Sequence, residues 1–88
     1  MRVKFLLHGH VQGVGFRYYA QTKAAEHSMK GWARNLESGS VEIAAEGETR
    51  QVEAFMEEMK KGSPLAVVEE FEQSEYEGKE QLKAFKIK

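Results

Sequence analysis

The chain has 88 residues, 41% of them hydrophobic and 31% charged, with a net charge of −1. That length makes a single domain, residues 1–88, and the absence of cysteine excludes disulfides and thiolate metal sites, which suits a reducing cytoplasm. The N-terminal apolar run is too short for a signal peptide, no segment approaches membrane-spanning length, and a pI near 6.3 argues against a general nucleic-acid binder.

Val3, Phe5 and Leu7 alternate with Arg2, Lys4 and Leu6, which predicts a first strand over Val3–Leu7. Glycines 9, 13 and 15 then make a loop. From Phe16 to about His27 the spacing turns helical, with Phe16, Ala20 and Ala24 four residues apart. Met29–Leu36 reads as a second strand containing Trp32, and Glu37-Ser38-Gly39-Ser40 as a turn. Val41, Ile43 and Ala45 alternate with Glu42 and Glu46, so the third strand is expected to have one wet face.

Thr49 is the expected N-cap of a second helix, whose buried face is Val52, Phe55, Met56 and Met59. Gly62-Ser63-Pro64 ends it. A fourth strand runs from Leu65 to about Gln73, and the three-residue step from Val68 to Phe71 points to a bulge. Glu75–Glu80 reads as a polar loop, and Phe85 and Ile87 as a short last strand. The order βαββαβ implies an α+β, ferredoxin-like sandwich. It has one mainly antiparallel sheet, two helices on one face and a short extra C-terminal strand.

The stretch Gly9-His10-Val11-Gln12-Gly13-Val14-Gly15-Phe16-Arg17 carries the chemistry. Helix starts are electropositive, with N–H groups unpaired, so an arginine there costs about 0.3–1 kcal/mol when exposed. An anion between the guanidinium and those N–H groups removes the cost. Residues 1–36 hold six basic side chains and one acid, against seven and thirteen over residues 37–88, so the stretch lies in the acid-poor part of the chain. Its spacing is neither a dinucleotide fingerprint nor a Walker loop.

Taken singly, the other polar residues have ordinary readings. His8 and His10 straddle Gly9 as solvent-facing loop histidines, and His27 suits a helix C-terminus. Trp32 is core, and the glutamates from 69 to 80 form a solvated edge.

Two blocks closely resemble the acylphosphatases: Gly9 to Arg17, and Gly31-Trp32-Ala33-Arg34-Asn35-Leu36 followed by Ser38-Gly39-Ser40-Val41-Glu42. The likeness runs through the whole chain. It departs at Ser28-Met29, at Glu37-Ser38 and at Ala33, which concern packing and turns. The resemblance implies that Val11, Gln12, Gly13, Val14, Gly15, Phe16 and Arg17 cradle a phosphoryl group, chiefly through backbone N–H groups. Arg17 would be the phosphate-binding arginine and Asn35 the residue that orients the attacking water. It implies metal-independent, cofactor-free hydrolysis of an acyl phosphate to a carboxylate and phosphate, and a cytoplasmic monomer whose partner is a small-molecule acyl phosphate, with no nucleic acid and no membrane. A carboxylate, with a pKa of about 4, leaves without a general acid, which fits a site lacking an evident catalytic acid. The alternative is a non-catalytic anion-binding or regulatory domain on the same fold.

Overall fold

The computed structural model describes residues 1–88. Alternation along β1 (Arg2–His10) sends Val3, Phe5 and Leu7 to one face of the sheet, where all three are buried. Helix α1 (Phe16–Glu26) follows, then β2 (Lys30–Asn35), β3 (Val41–Glu46), α2 (Thr49–Lys61), β4 (Val67–Glu75) and the two-residue β5 (Lys86–Ile87). The strands lie in the order β4-β1-β3-β2-β5. All neighbours are antiparallel except β2 and β5, which are parallel. The fold is the expected ferredoxin-like α+β sandwich.

The main core lies between that sheet face and the helices. Phe16, Ala20 and Ala24 of α1 and Val52, Phe55, Met56 and Met59 of α2 pack with Val3, Phe5, Leu7, Ala33, Val41, Ile43 and Ala45. Phe5 anchors it, edge-on to Phe55 at 5.9 Å between centroids and stacked on Phe71 at 5.3 Å.

The opposite face differs from the sequence reading. The third strand is wet only at its end, at Glu46; Glu42 is 7% exposed and Ala44 fully buried. The polar segment after β4 crosses this face as a strap, and its Leu82 buries itself against Trp32 and Ala44. Tyr76 meets Trp32 edge-on at 6.0 Å, and Glu80 accepts hydrogen bonds from the Tyr76 hydroxyl and from Trp32 Nε1. Glu80 is exposed, as expected, and also helps to fasten the strap. The Tyr76 and Trp32 donors hold its carboxyl below the usual glutamate range. The Glu42 carboxylate survives burial because Arg34 sits at 2.6 Å and Lys4 at 3.7 Å.

Other departures are local. Thr49 is the first helical residue, not the cap; Glu48 occupies the N-cap and makes no side-chain cap bond. Strand β1 runs on through Gly9 to His10, because β4 pairs with it as far as Val67. The register there passes from His8↔Glu70 to Gly9↔Val68, so Glu69 is the extra residue of the expected bulge. A side chain at Gly9 would stand 2.2 Å from the Val67 carbonyl oxygen, and its φ of +134° also favours glycine. His8 is no loop histidine. It bridges Ser40 Oγ at 2.5 Å and Glu72 Oε2 at 2.6 Å, joining the β4 edge to the start of β3.

Candidate active site

Residues 11–15 connect β1 to α1 at one end of the sheet. Gly13 and Gly15 both have φ of +75°, and Val14 between them does not. Tight turns of this kind bring successive backbone N–H groups to one side, which is how backbone makes an anion-binding concavity. A Cβ at either glycine would meet nothing within 4 Å. Backbone conformation alone requires glycine at these positions. Space is left above the loop.

None of the backbone N–H groups from Val11 to Tyr18 donates to a backbone oxygen; the first bond of the helix is Tyr19 N–H to the Gly15 carbonyl at 3.0 Å. Unpaired donors in such a run are what an anion satisfies. The N-cap is Gly15 itself, without a capping side chain, and the first turn has no acidic residue.

Arg17 is the second residue of α1. Its Nη1 donates to the Lys88 carbonyl oxygen at 2.9 Å, which pins the guanidinium at the mouth of the loop. The Lys88 N–H in turn donates to the Ala33 carbonyl at 2.8 Å, tying this contact to β2, which ends at Asn35. Val11, Gly13, Gly15, Phe16, Arg17, Tyr18 and Asn35 line one open pocket of about 230 Å³. The sequence-predicted arginine and asparagine, 18 positions apart in the chain, thus share a wall-to-wall cavity with the glycine loop. Arg17 is its sole charged lining residue.

Two members of the predicted loop lie outside the lining. Val14 packs against the main core. Gln12 turns its amide away and donates to the carbonyls of Leu36 (2.7 Å) and Ser40 (2.8 Å). The Leu36 N–H also donates to the Ser40 carbonyl at 2.8 Å. Gln12 therefore clamps the glycine loop to the β2–β3 turn, which begins one residue after Asn35. Sequence reasoning missed that clamp, because a glutamine in a loop carries no signal for its partner. It also missed Tyr18, whose position beside Arg17 in the first helical turn was the available clue.

The acylphosphatase family model matches residues 3–87. An acylphosphatase from Oceanobacillus iheyensis is 42% identical over 87 residues, covering 98% of this chain and 96% of that one. One from Bacillus pumilus is 40% identical over 83 residues, covering 94% and 92%. The crystal structure of acylphosphatase from Bacillus subtilis is similar with a TM-score of 0.91 at 37% identity, covering 98% of this chain and 96% of that chain.

Proposed function

The chain belongs to the acylphosphatase family, and we propose that its chemistry runs through the nest at Val11–Arg17 and the amide of Asn35. The activity is hydrolysis of acyl phosphates. The reading of a non-catalytic anion-binding domain is not favoured, since the relatives that match over nearly their full length are named as enzymes.

The observation that carries this reading is the unbroken run of unpaired N–H groups from Val11 to Tyr18 beside Arg17. Phosphoryl transfer asks the protein mainly to position reactants and to stabilise charge on the transferring oxygens. Nest N–H groups supply fixed donors, and a planar guanidinium takes two oxygens at once. Asn35, a neutral amide at the strand end, holds a water in line with the bond to be broken. Water oxygen bonds to phosphorus, the P–O bond to the acyl group breaks, and its electron pair leaves with the carboxylate. The water's proton passes to a phosphate oxygen, so no side-chain acid or base is required. Charge stabilisation comes from the backbone and Arg17, which is why we read the reaction as metal-independent.

No helix is long and apolar enough to cross a membrane. We further read the chain as one cytoplasmic, monomeric domain that does not bind nucleic acid. The β4 edge supports the monomer and the absence of nucleic acid by carrying Glu69, Glu70, Glu72 and Glu75, since like charges oppose pairing of edges between copies and repel phosphate backbones.

Hydrolysis of benzoyl phosphate in excess chelator tests the mechanism. The expected result is full activity for the parent chain. For Asn35→Ala, turnover falls sharply while inhibition by inorganic phosphate persists. Parent-rate hydrolysis by Asn35→Ala overturns the water-positioning role, and complete loss of activity in chelator overturns metal independence.

A further inference from the structure

Tyr18 is the one aromatic residue of this chain with no structural partner. Phe5, Phe16, Tyr19, Trp32, Phe55, Phe71, Tyr76 and Phe85 each pack against another aromatic ring. Tyr19, next in the chain, stacks on Phe16 at 6.0 Å, and its hydroxyl donates to Glu58 at 3.3 Å. Tyr18 has no ring neighbour of this kind, no cation over its face and no hydrogen bond from its hydroxyl. It is 71% exposed, and it is one of the residues lining the pocket that holds Arg17 and Asn35.

We propose that Tyr18 is the residue that reads the acyl group, favouring planar aromatic acyl phosphates over short aliphatic ones. The inference rests on the reading of the Arg17 pocket as the phosphoryl site. In-line displacement sets the entering water and the leaving carboxylate on opposite sides of phosphorus. A water held at Asn35, on the sheet, therefore directs the acyl group towards the helix-borne rim, where Tyr18 stands one residue beyond Arg17. An exposed ring offers a face on which a second planar group stacks with little ordering cost. Arg17 is the only charged group of the lining and is engaged by the phosphoryl oxygens, so nothing there recognises a second charge on the acyl group. An uncharged, flat substituent fits what remains.

The test compares kcat/KM for benzoyl phosphate and acetyl phosphate in the parent, Tyr18→Ala, Tyr18→Phe and Arg17→Ala proteins, with inhibition by inorganic phosphate measured alongside. Tyr18→Ala is expected to lower the benzoyl-to-acetyl ratio about threefold to tenfold, the size of an aromatic pair. The change should fall mainly in KM, and Tyr18→Phe should restore the ratio. A ratio unchanged in Tyr18→Ala, or an equal fall for both substrates, overturns the proposal while leaving the phosphoryl site intact. Parent-like hydrolysis by Arg17→Ala would instead remove the phosphoryl site on which it rests.

Discussion

The two helices of this molecule begin with the same residue pattern and a different backbone. Arg17 is the second residue of α1 and Arg50 the second residue of α2. Neither helix has a side-chain cap bond, and neither has an acid in its first turn. The two starts differ in their caps and in the backbone before them. At α2 the N-cap is Glu48 in extended conformation, a carboxylate that offsets both the dipole and Arg50 locally. At α1 the N-cap is a glycine in the left-handed region, preceded by Gly13 in the same region. The positive end is thereby extended into the glycine loop, with no acidic residue in the first turn. Asn35 and the Lys88 main-chain oxygen complete the surroundings there.

The contrast is broken most directly by paired alanines. Arg17→Ala is expected to cut hydrolysis of benzoyl phosphate by about 10³-fold or more, the scale of losing a transition-state guanidinium. Arg50→Ala should leave the rate as it was and change stability by less than about 1 kcal/mol, because the Glu48 carboxylate already offsets the cation there. Equal losses in the two variants would mean that the nest adds nothing.

Asn35→Ala should lower kcat by about 10²-fold, as for deletion of one positioned polar group, with inhibition by inorganic phosphate nearly intact. That split between turnover and anion binding separates the strand end from the loop.

Gly15→Ala tests the nest by conformation alone, since its Cβ would meet nothing within 4 Å. Holding alanine in the left-handed region costs about 1–2 kcal/mol, readable as a drop of roughly 4–8 °C in Tm per kcal/mol for a domain of this size. Phosphate affinity should fall with it. A stable Gly15→Ala protein with parent-like affinity would mean that the loop's N–H groups are not the cradle.

The smallest effect lies on the far face of the sheet. The Glu80 carboxyl is held below its usual range by the Tyr76 hydroxyl and by Trp32 Nε1. Its contribution to holding the strap is therefore fully present above the unfolded-chain value. It is lost as pH falls through the lower folded value. Trp32 fluorescence should change in acid with that depressed midpoint, and Glu80→Gln should abolish the step without affecting hydrolysis. An acid transition unchanged in Glu80→Gln would show that another group loosens the strap.

Much of this was legible in the residues. Alternation in β1 and β3 and the Val52, Phe55, Met56, Met59 spacing gave the main core because one face of each element is continuously apolar. The glycine run and Arg17 stood out by residue type and Asn35 only through the resemblance to a known family; Gly13, Gly15, Arg17 and Asn35 line one pocket. The covered outer face was not, because the strap is polar in composition and rests on two spaced anchors, Tyr76 and Leu82. Charge pairing hid the burial of Glu42, since a glutamate in an alternating strand reads as wet until Arg34 and Lys4 are brought beside it. Thr49 misled as a cap because Glu48 takes that place through its backbone conformation, without using its side chain. The Gln12 clamp depends on a contact between segments far apart in sequence, and no local pattern encodes it.

Amide resonances during a titration with inorganic phosphate test the central claim most directly. The N–H signals of Gly13, Val14, Gly15, Phe16 and Arg17 should shift together and saturate, while those of Thr49, Arg50 and Gln51 at the start of α2 stay where they are. Shifts of equal size at both helix starts, or none in the glycine loop, would contradict it.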